Sequence, residues 1–145
     1  MKFKVEAVCL AAEKGVQKHE VPEITLRADH GIVGDAHAGP WHRQVSLLAE
    51  EDVDTMRAKG LELAAGAFGE NIVTRGVDWS QARVGETIQI GDVLLEITQI
   101  GKECHNHCAI YAAVGDCIMP RQGIFARVLK GGTIHAQSSG DHRLG

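Results

Sequence analysis

Short alternating and continuous apolar runs, separated by glycines, dominate the chain and predict strands. Residues 3–12 begin with alternating apolar and charged side chains and then become continuously apolar. This pattern is typical of a strand that passes from an exposed edge into a core. Similar runs predict further short strands at 24–27, 44–48, 72–74, 85–90, 93–100 and 133–136. The Gly91-Asp92 pair between two of these runs indicates a hairpin.

Helical signals are fewer and shorter than the strand signals. Three acidic residues open the segment 50–59, Val53 and Met56 supply an apolar face, and Gly60 ends it. Further short helices are predicted at 108–114 and 124–129. The prediction is therefore a mostly β, barrel-like α+β fold in one domain over residues 1–137. The polar residues 138–145 are expected to form a flexible tail.

Composition and charge exclude two classes of partner. The chain has 145 residues, the size of one domain, and its 17 glycines suit tight turns between strands. A net charge of −4 and the absence of a basic run argue against nucleic-acid binding. No apolar stretch is long enough to cross a bilayer or to serve as a secretion signal. We expect a cytoplasmic protein without a nucleic-acid or membrane partner.

The densest cluster of reactive side chains follows the strand predicted at 93–100. It holds three of the four cysteines together with a lysine and two histidines. These residues are Lys102, Cys104, His105, His107, Cys108 and Cys117. A neighbouring lysine or protonated histidine lowers the pKa of a thiol, so Lys102, His105 and His107 favour a reactive thiolate in this cluster. Two other interpretations remain open: zinc bound by the three cysteines and one histidine, or cysteines that only pack in a core.

A second polar concentration lies in the glycine-rich segment 30–46. Its acid, base and anion-binding candidates are Asp35, His37, His42 and Arg43. Glu70 and Asn71 follow at the mouth of a predicted strand, where they are either ligand contacts or turn residues. Arg121 lies in a loop bounded by Pro120 and Gly123.

Several sequence blocks, taken together, resemble the MOSC domain, the C-terminal domain of molybdenum-cofactor sulfurases. The blocks are Gly34-Asp35-x-His37-Ala38-Gly39, His42-Arg43-Gln44-Val45-Ser46, Phe68-Gly69-Glu70-Asn71-Ile72, Gly101-Lys102-x-Cys104-His105 and Gly115-Asp116-Cys117-Ile118-Met119-Pro120-Arg121. They occur in the family's order, and the resemblance extends over about residues 5–137. It implies a β-barrel in which a cysteine carries sulfur as a persulfide or binds molybdenum.

Cys104 matches the position of the family's key cysteine, and the resemblance therefore also makes it the metal-ligand candidate. Cys108 or Cys117 would act as a resolving thiol that releases the outer sulfur of a Cys104 persulfide. The expected cofactor is the molybdenum cofactor, molybdopterin, which is not expected to survive purification. Asp35, His37, His42, Arg43, Glu70, Asn71 and Arg121 are the cofactor-binding candidates, with the arginines directed at the pterin phosphate.

The resemblance also implies partners. Sulfurases carry a separate pyridoxal-phosphate desulfurase domain, for which 145 residues have no room. Sulfur would therefore come from a cysteine desulfurase or another donor, and a molybdoenzyme or a cofactor-biosynthesis protein would accept it. Two alternatives belong to other classes: a carrier that binds cofactor without turnover, and a molybdenum-dependent reductase of N-hydroxylated substrates. The latter requires separate electron-transfer partners.

Overall fold

Strand pairing closes most of the chain into a barrel. The structure is a computed structural model that describes residues 1–101 and 123–143. Its strands are β1 (Lys2–Leu10), β2 (His19–Val21), β3 (Glu23–Arg27), β4 (Gly31–Ile32), β5 (Val45–Ala49), β6 (Ile72–Arg75), β7 (Thr87–Ile90), β8 (Val93–Ile100), β9 (Ile124–Lys130), β10 (Gly132–His135) and β11 (Ser139–Arg143). Helix α1 (Glu50–Arg57) connects β5 to β6, and Trp79–Gln81 form one turn of 3-10 helix.

The barrel has seven strands in the order β11-β7-β8-β9-β5-β6-β1, and it closes because β11 also pairs with β1. The β5–β6 pair is parallel, and α1 supplies the crossover that such a pair needs. β2 extends the sheet beside β1, and β10, β3 and β4 form a separate three-stranded sheet. Closure leaves the barrel strands without free edges for pairing with other chains.

Alternating side chains fill the barrel. Val5, Leu47, Ile72, Ile88 and Ile97 are fully buried, as expected where one face of every strand points inward. A smaller cluster lies under α1, where Val53 and Met56 pack with Leu48, Phe68 and Phe125. The acidic first turn of α1 suits the positive end of the helix dipole. Within residues 1–101 and 123–143, no helix is long and apolar enough to cross a membrane.

The predicted mostly β barrel is confirmed, and so are most of its elements. The strands expected at 24–27, 44–48 and 72–74 and the hairpin at 85–100 correspond to β3, β5, β6, β7 and β8. The helix predicted over 50–59 is α1. These elements carry clear local signals: alternation in the strands, and acidic residues followed by a glycine stop around the helix. The helix predicted at 108–114 lies outside the described residues.

Two local predictions are wrong. Residues 124–129 were expected to be helical, but Ile124–Lys130 form strand β9, which pairs with β8 on one side and β5 on the other. A short apolar run fits a buried strand as well as a helix, and here the two neighbouring strands decide. The tail expected to be flexible from residue 138 instead contains β11, which pairs with β1 and β7.

Candidate functional site

The polar segment between β4 and β5 lies against the ends of β8 and β9. His42 Nε2 is 2.9 Å from Gln99 Oε1, and the carbonyl oxygens of His42 and Phe125 share the single hydroxyl proton of Thr98. Just beyond Gln99, the amide of Gly101 donates to the carbonyl of Gly123 over 2.7 Å. Gly101 and Gly123, which flank the segment 102–122, therefore lie next to each other, each two residues from Gln99 or Phe125.

A buried ion pair anchors the first part of this polar segment. Lys18 Nζ lies 2.8 Å from both carboxylate oxygens of Asp35, and the two side chains are 2% and 0% exposed. Asp35 also accepts hydrogen bonds from the amides of Ala11 and His37. Lys18 Nζ reaches His37 Nδ1 as well, at 2.9 Å. The contacts tie the polar segment to the loop between β1 and β2.

The charge on Asp35 is stabilised despite its burial. Burial alone would raise the pKa of this carboxyl, but the hydrogen bonds that Asp35 accepts and the positive charge of Lys18 outweigh it. The pKa of Asp35 is therefore held well below its usual range. A buried charge of this kind requires a partner of opposite charge, and Lys18 supplies it.

Trp41 connects this ion pair to Arg43. Its ring stacks on His37 with an interplanar angle of 8°, and its indole nitrogen donates to the His37 carbonyl over 2.7 Å. The guanidinium carbon of Arg43 lies 5.4 Å from the Trp41 ring centre and 5.6 Å from that of Phe125. Lys14 Nζ approaches the same indole at 5.9 Å. Two cations thus lie close to an exposed aromatic ring, an arrangement stabilised by cation–π attraction.

Arg43 has unused hydrogen-bonding capacity. Its Nε atom is buried and has no hydrogen-bond partner among the described residues. A buried donor without a partner costs free energy, and a bound acceptor would recover it. The planar guanidinium suits phosphate or carboxylate oxygens in particular. Arg43 is thus chemically suited to hold an anionic ligand.

Glu70 and Asn71 have a different environment, because their polar atoms face the protein's own backbone. The two carboxylate oxygens of Glu70 accept from the amides of Gly66 and Phe68. The Asn71 amide oxygen accepts from Ser46, and its nitrogen donates to the carbonyl of Cys9. Burial raises the pKa of Glu70, although the backbone hydrogen bonds oppose that shift. Glu70 and Asn71 were expected to be either ligand contacts or turn residues, and these hydrogen bonds favour the turn.

The remaining predicted site residues lie outside the described part of the chain: Lys102, Cys104, His105, Cys108, Cys117 and Arg121. In residues 1–101 and 123–143, no group of three or more His, Cys, Asp or Glu side chains is placed to hold a metal ion. The remaining cysteine, Cys9, is fully buried, and burial raises the pKa of its thiol to about 12. Burial and the raised pKa both disfavour the reactive thiolate form of Cys9.

Sequence reasoning overlooked Lys18 and Trp41. Lys18 lies in a polar stretch between Gly15 and Pro22, where a lysine is usually solvated, and only the fold places it against Asp35. Trp41 carried a stronger signal, since a tryptophan between two histidines in a glycine-rich loop is a large apolar side chain outside any predicted core.

Comparison with known proteins agrees with the barrel and the polar segment. The family model for the MOSC domain matches residues 34–139, so this chain belongs to the MOSC domain family. The match begins at the polar segment that contains Asp35 and extends through β10 to the start of β11. The family is linked to molybdenum-cofactor-related proteins. A search of curated proteins gives no significant match.

Solved structures share the fold at low sequence identity. YuaD from Bacillus subtilis is 17% identical with a TM-score of 0.82, and the alignment covers 100% of this chain and 98% of YuaD. YiiM from Escherichia coli is 19% identical with a TM-score of 0.68, covering 100% of this chain and 71% of YiiM. YiiM from Geobacillus stearothermophilus is 17% identical, with a TM-score of 0.71 and coverages of 98% and 75%. Identities this low establish the shared fold alone.

Proposed function

We propose that this protein is a molybdenum-cofactor-related sulfur carrier or cofactor-binding protein in the cytoplasm, with Cys104 as its working thiol. The observation that carries the proposal is that His42 contacts Gln99, two residues before Gly101, and that Gly101 pairs with Gly123. The segment that bears Cys104 is joined to the barrel at this point. The residues that flank the cysteine-bearing segment are therefore close in sequence to Gln99 and Phe125, which contact His42 and Arg43.

The described residues fit an anionic cofactor. Arg43 offers a buried Nε–H that has no partner within residues 1–101 and 123–143, and Lys14 supplies a second cation near the same indole ring. A pterin phosphate carries the negative charge and the acceptor oxygens that this pair of cations lacks. Arg43, with His42 nearby, would hold the phosphate, and Arg121 is proposed as a further contact. When bound, the cofactor supplies a molybdenum centre suited to soft sulfur ligands.

The chemistry assigned to the protein's own residues is sulfur transfer. The Cys104 thiolate attacks the outer sulfur of a donor persulfide, forms a new S–S bond and releases the donor's thiolate. Once a sulfur acceptor is bound, a thiolate at Cys108 or Cys117 attacks the Cys104 sulfur and displaces the outer sulfur as hydrosulfide. The protein is left with a disulfide, which a dithiol reductant of the cell must reduce before the next cycle. Lys102 and His105 would favour the initial thiolate.

The supply and delivery of sulfur are assigned to other proteins. A cysteine desulfurase or another sulfane-sulfur donor would load Cys104. A molybdoenzyme or a cofactor-biosynthesis protein would receive the sulfur or the cofactor. Incubation with a cysteine desulfurase, cysteine and pyridoxal phosphate should therefore load one labile sulfur on the wild-type protein.

The deciding experiment measures molybdenum, zinc and cyanide-labile sulfur on anaerobically purified wild-type protein and on Cys104→Ser. The proposal expects labile sulfur or molybdenum in the wild type and loss of both in the variant. Cys9→Ala is the matched control, because Cys9 is buried with a thiol pKa of about 12. This control should retain whatever the wild type holds.

Two results would overturn the proposal. One is stoichiometric zinc without molybdenum or labile sulfur, which would make the cysteine cluster a structural site whose chelation lowers the melting temperature. The other is equal labile sulfur on wild type and Cys104→Ser. The anion contact is tested separately: Arg43→Gln should weaken cofactor retention, whereas Arg27→Gln, on the exposed face of β3, should not.

A further inference from the structure

Lys18 has a role beyond neutralising Asp35. A lysine ammonium carries three N–H donors and no acceptor. In this structure Lys18 Nζ lies 2.8 Å from each Asp35 oxygen and 2.9 Å from His37 Nδ1. Its side chain is 2% exposed, so this arrangement is protected from competing water. All three donors are therefore used on Asp35 and His37.

This geometry determines where the imidazole of His37 carries its proton. Nδ1 faces a group that can only donate, so Nδ1 must accept. A neutral His37 therefore carries its proton on Nε2. The groups that face the ring are Lys18, Asp35 and the indole of Trp41, and Asp35 Oδ2 lies farther from Nδ1 than Lys18 Nζ does, at 3.7 Å. Without Lys18, the same carboxylate would attract a proton to Nδ1.

The Nε2–H is available to a ligand. The His37 side chain is 38% exposed, and its Nε2 atom makes no hydrogen bond within residues 1–101 and 123–143. A nitrogen that carries a proton is neither a base nor a metal ligand; it donates a hydrogen bond. Lys14 and Arg43 place positive charge around the adjoining Trp41 ring. An oxygen anion would accept a hydrogen bond from the His37 Nε2–H and would be attracted by the positive charges of Lys14 and Arg43.

We propose that Lys18 is a positioning residue that holds His37 as a neutral Nε2–H donor for an oxyanion of the phosphate class bound beside Trp41. The identity of the anion rests on the proposed function, because a pterin phosphate would be its physiological source. The role of Lys18 rests on hydrogen-bond geometry alone.

The tautomer can be read directly from the imidazole nitrogens by NMR of 15N-histidine-labelled protein. Wild-type His37 should show a protonated Nε2 and an unprotonated Nδ1. In Lys18→Met the proton should move to Nδ1, toward Asp35. Lys130→Met, at the exposed end of β9, is the matched control and should leave the His37 signals unchanged.

The single variant leaves Asp35 buried without its counter-charge, and it is open to misfolding. A second variant, Lys18→Met with Asp35→Asn, removes both charges together. An asparagine side chain both donates and accepts, so this protein should show a mixture of the two tautomers. A wild-type His37 protonated on Nδ1 would overturn the proposal, and so would the same Nε2–H tautomer alone in the double variant.

Titration with inorganic phosphate tests the ligand class. Phosphate should shift the His37 Nε2–H and Trp41 indole signals. His37→Phe should bind phosphate about tenfold more weakly or worse, and His37→Gln should recover part of the affinity because its amide restores a donor. Equal binding by wild type and His37→Phe would overturn the anion assignment. None of these measurements involves Cys104, so loss of the sulfur-carrier function alone leaves them unchanged.

Discussion

Two buried acid–base pairs lie in different parts of this protein, and they serve different ends. Lys18 and Asp35 lie at the edge of the polar segment and extend their contacts to the half-exposed His37. Glu86 and His142 lie at the start of β7 and in β11, with His142 Nε2 2.9 Å from Glu86 Oε1. His142 is fully buried and packs on Trp79, with 5.2 Å between ring centres.

The contrast separates a pair that faces the candidate site from one enclosed in the barrel wall. Lys18 and Asp35 use every strong donor and acceptor they have. Lys18 also donates to Nδ1 of the half-exposed His37 and so determines which nitrogen of that ring accepts a hydrogen bond. His142 has one partnered nitrogen, while its Nδ1 is buried with no partner in the described residues. The first pair therefore stabilises the fold and also sets the hydrogen bonding of His37. The second contributes to closing the barrel through β11.

The largest effect should come from breaking the Lys18–Asp35 pair. Lys18→Met leaves a buried, uncompensated carboxylate and should lower the free energy of unfolding by about 3–5 kcal/mol, measured by urea denaturation at pH 7. Adding Asp35→Asn to this variant should restore most of the loss, since no buried charge remains. A double variant no more stable than Lys18→Met would contradict the account of the pair.

Acid should weaken the same pair. The folded-state pKa of Asp35 is held below its ordinary value of 3.8, so the unfolded chain takes up the proton first as pH falls. The contribution of Asp35 is fully present above about pH 5 and is lost as pH decreases through 3.8 toward the folded-state pKa. Urea midpoints between pH 7 and pH 3 should fall in the wild type and fall less in the double variant. Parallel curves for the two proteins would show that other carboxylates dominate.

The strands of the barrel show which parts of the fold could be predicted from the sequence. Strands such as 93–100 were found because alternation and a Gly-Asp turn are local signals. The apolar run at 124–129 predicts a helix, although it forms strand β9. Only its pairing with neighbouring strands of the barrel distinguishes a strand from a helix here. β11 lacks the apolar alternation that predicts a strand. Its sequence, Ser139-Gly140-Asp141-His142-Arg143, is polar, and its two buried residues are a glycine and a histidine.

The polar segment could be recognised in the sequence, whereas its contacts could not. Asp35, His37, His42 and Arg43 drew attention because several functional side chains occur in one glycine-rich segment. Their shared partner Lys18 belongs to another loop, and its contact with Asp35 depends on how that loop folds back. Long-range pairing of this kind leaves no periodic trace in the sequence. For Glu70 and Asn71 the sequence left both a ligand contact and a turn residue open, and their hydrogen bonds to the protein's own backbone favour the turn.

The Glu86–His142 pair should have an intermediate effect. His142→Leu removes a donor from Glu86, but Glu86 still accepts from the amide of Arg83. The expected loss in free energy of unfolding is therefore about 1–3 kcal/mol by urea denaturation, with no change in the His37 tautomer. His142→Gln retains a donor and should lose less. A larger loss than that of Lys18→Met would reverse the ranking of the two pairs.

The smallest effect should come from an ion pair on the outer surface, which shows how much burial matters. Arg127 Nε lies 2.7 Å from Glu96 Oε1, as short a contact as any at Lys18, but the two side chains are 43% and 30% exposed. Water screens this pair and already solvates both groups, so Arg127→Gln should change the free energy of unfolding by less than about 1 kcal/mol. The change should also shrink further in high salt, whereas the loss in Lys18→Met should persist. A loss at Arg127 comparable to that at Lys18 would mean that charge pairing alone, rather than desolvation of an unpaired charge, sets the cost at both places.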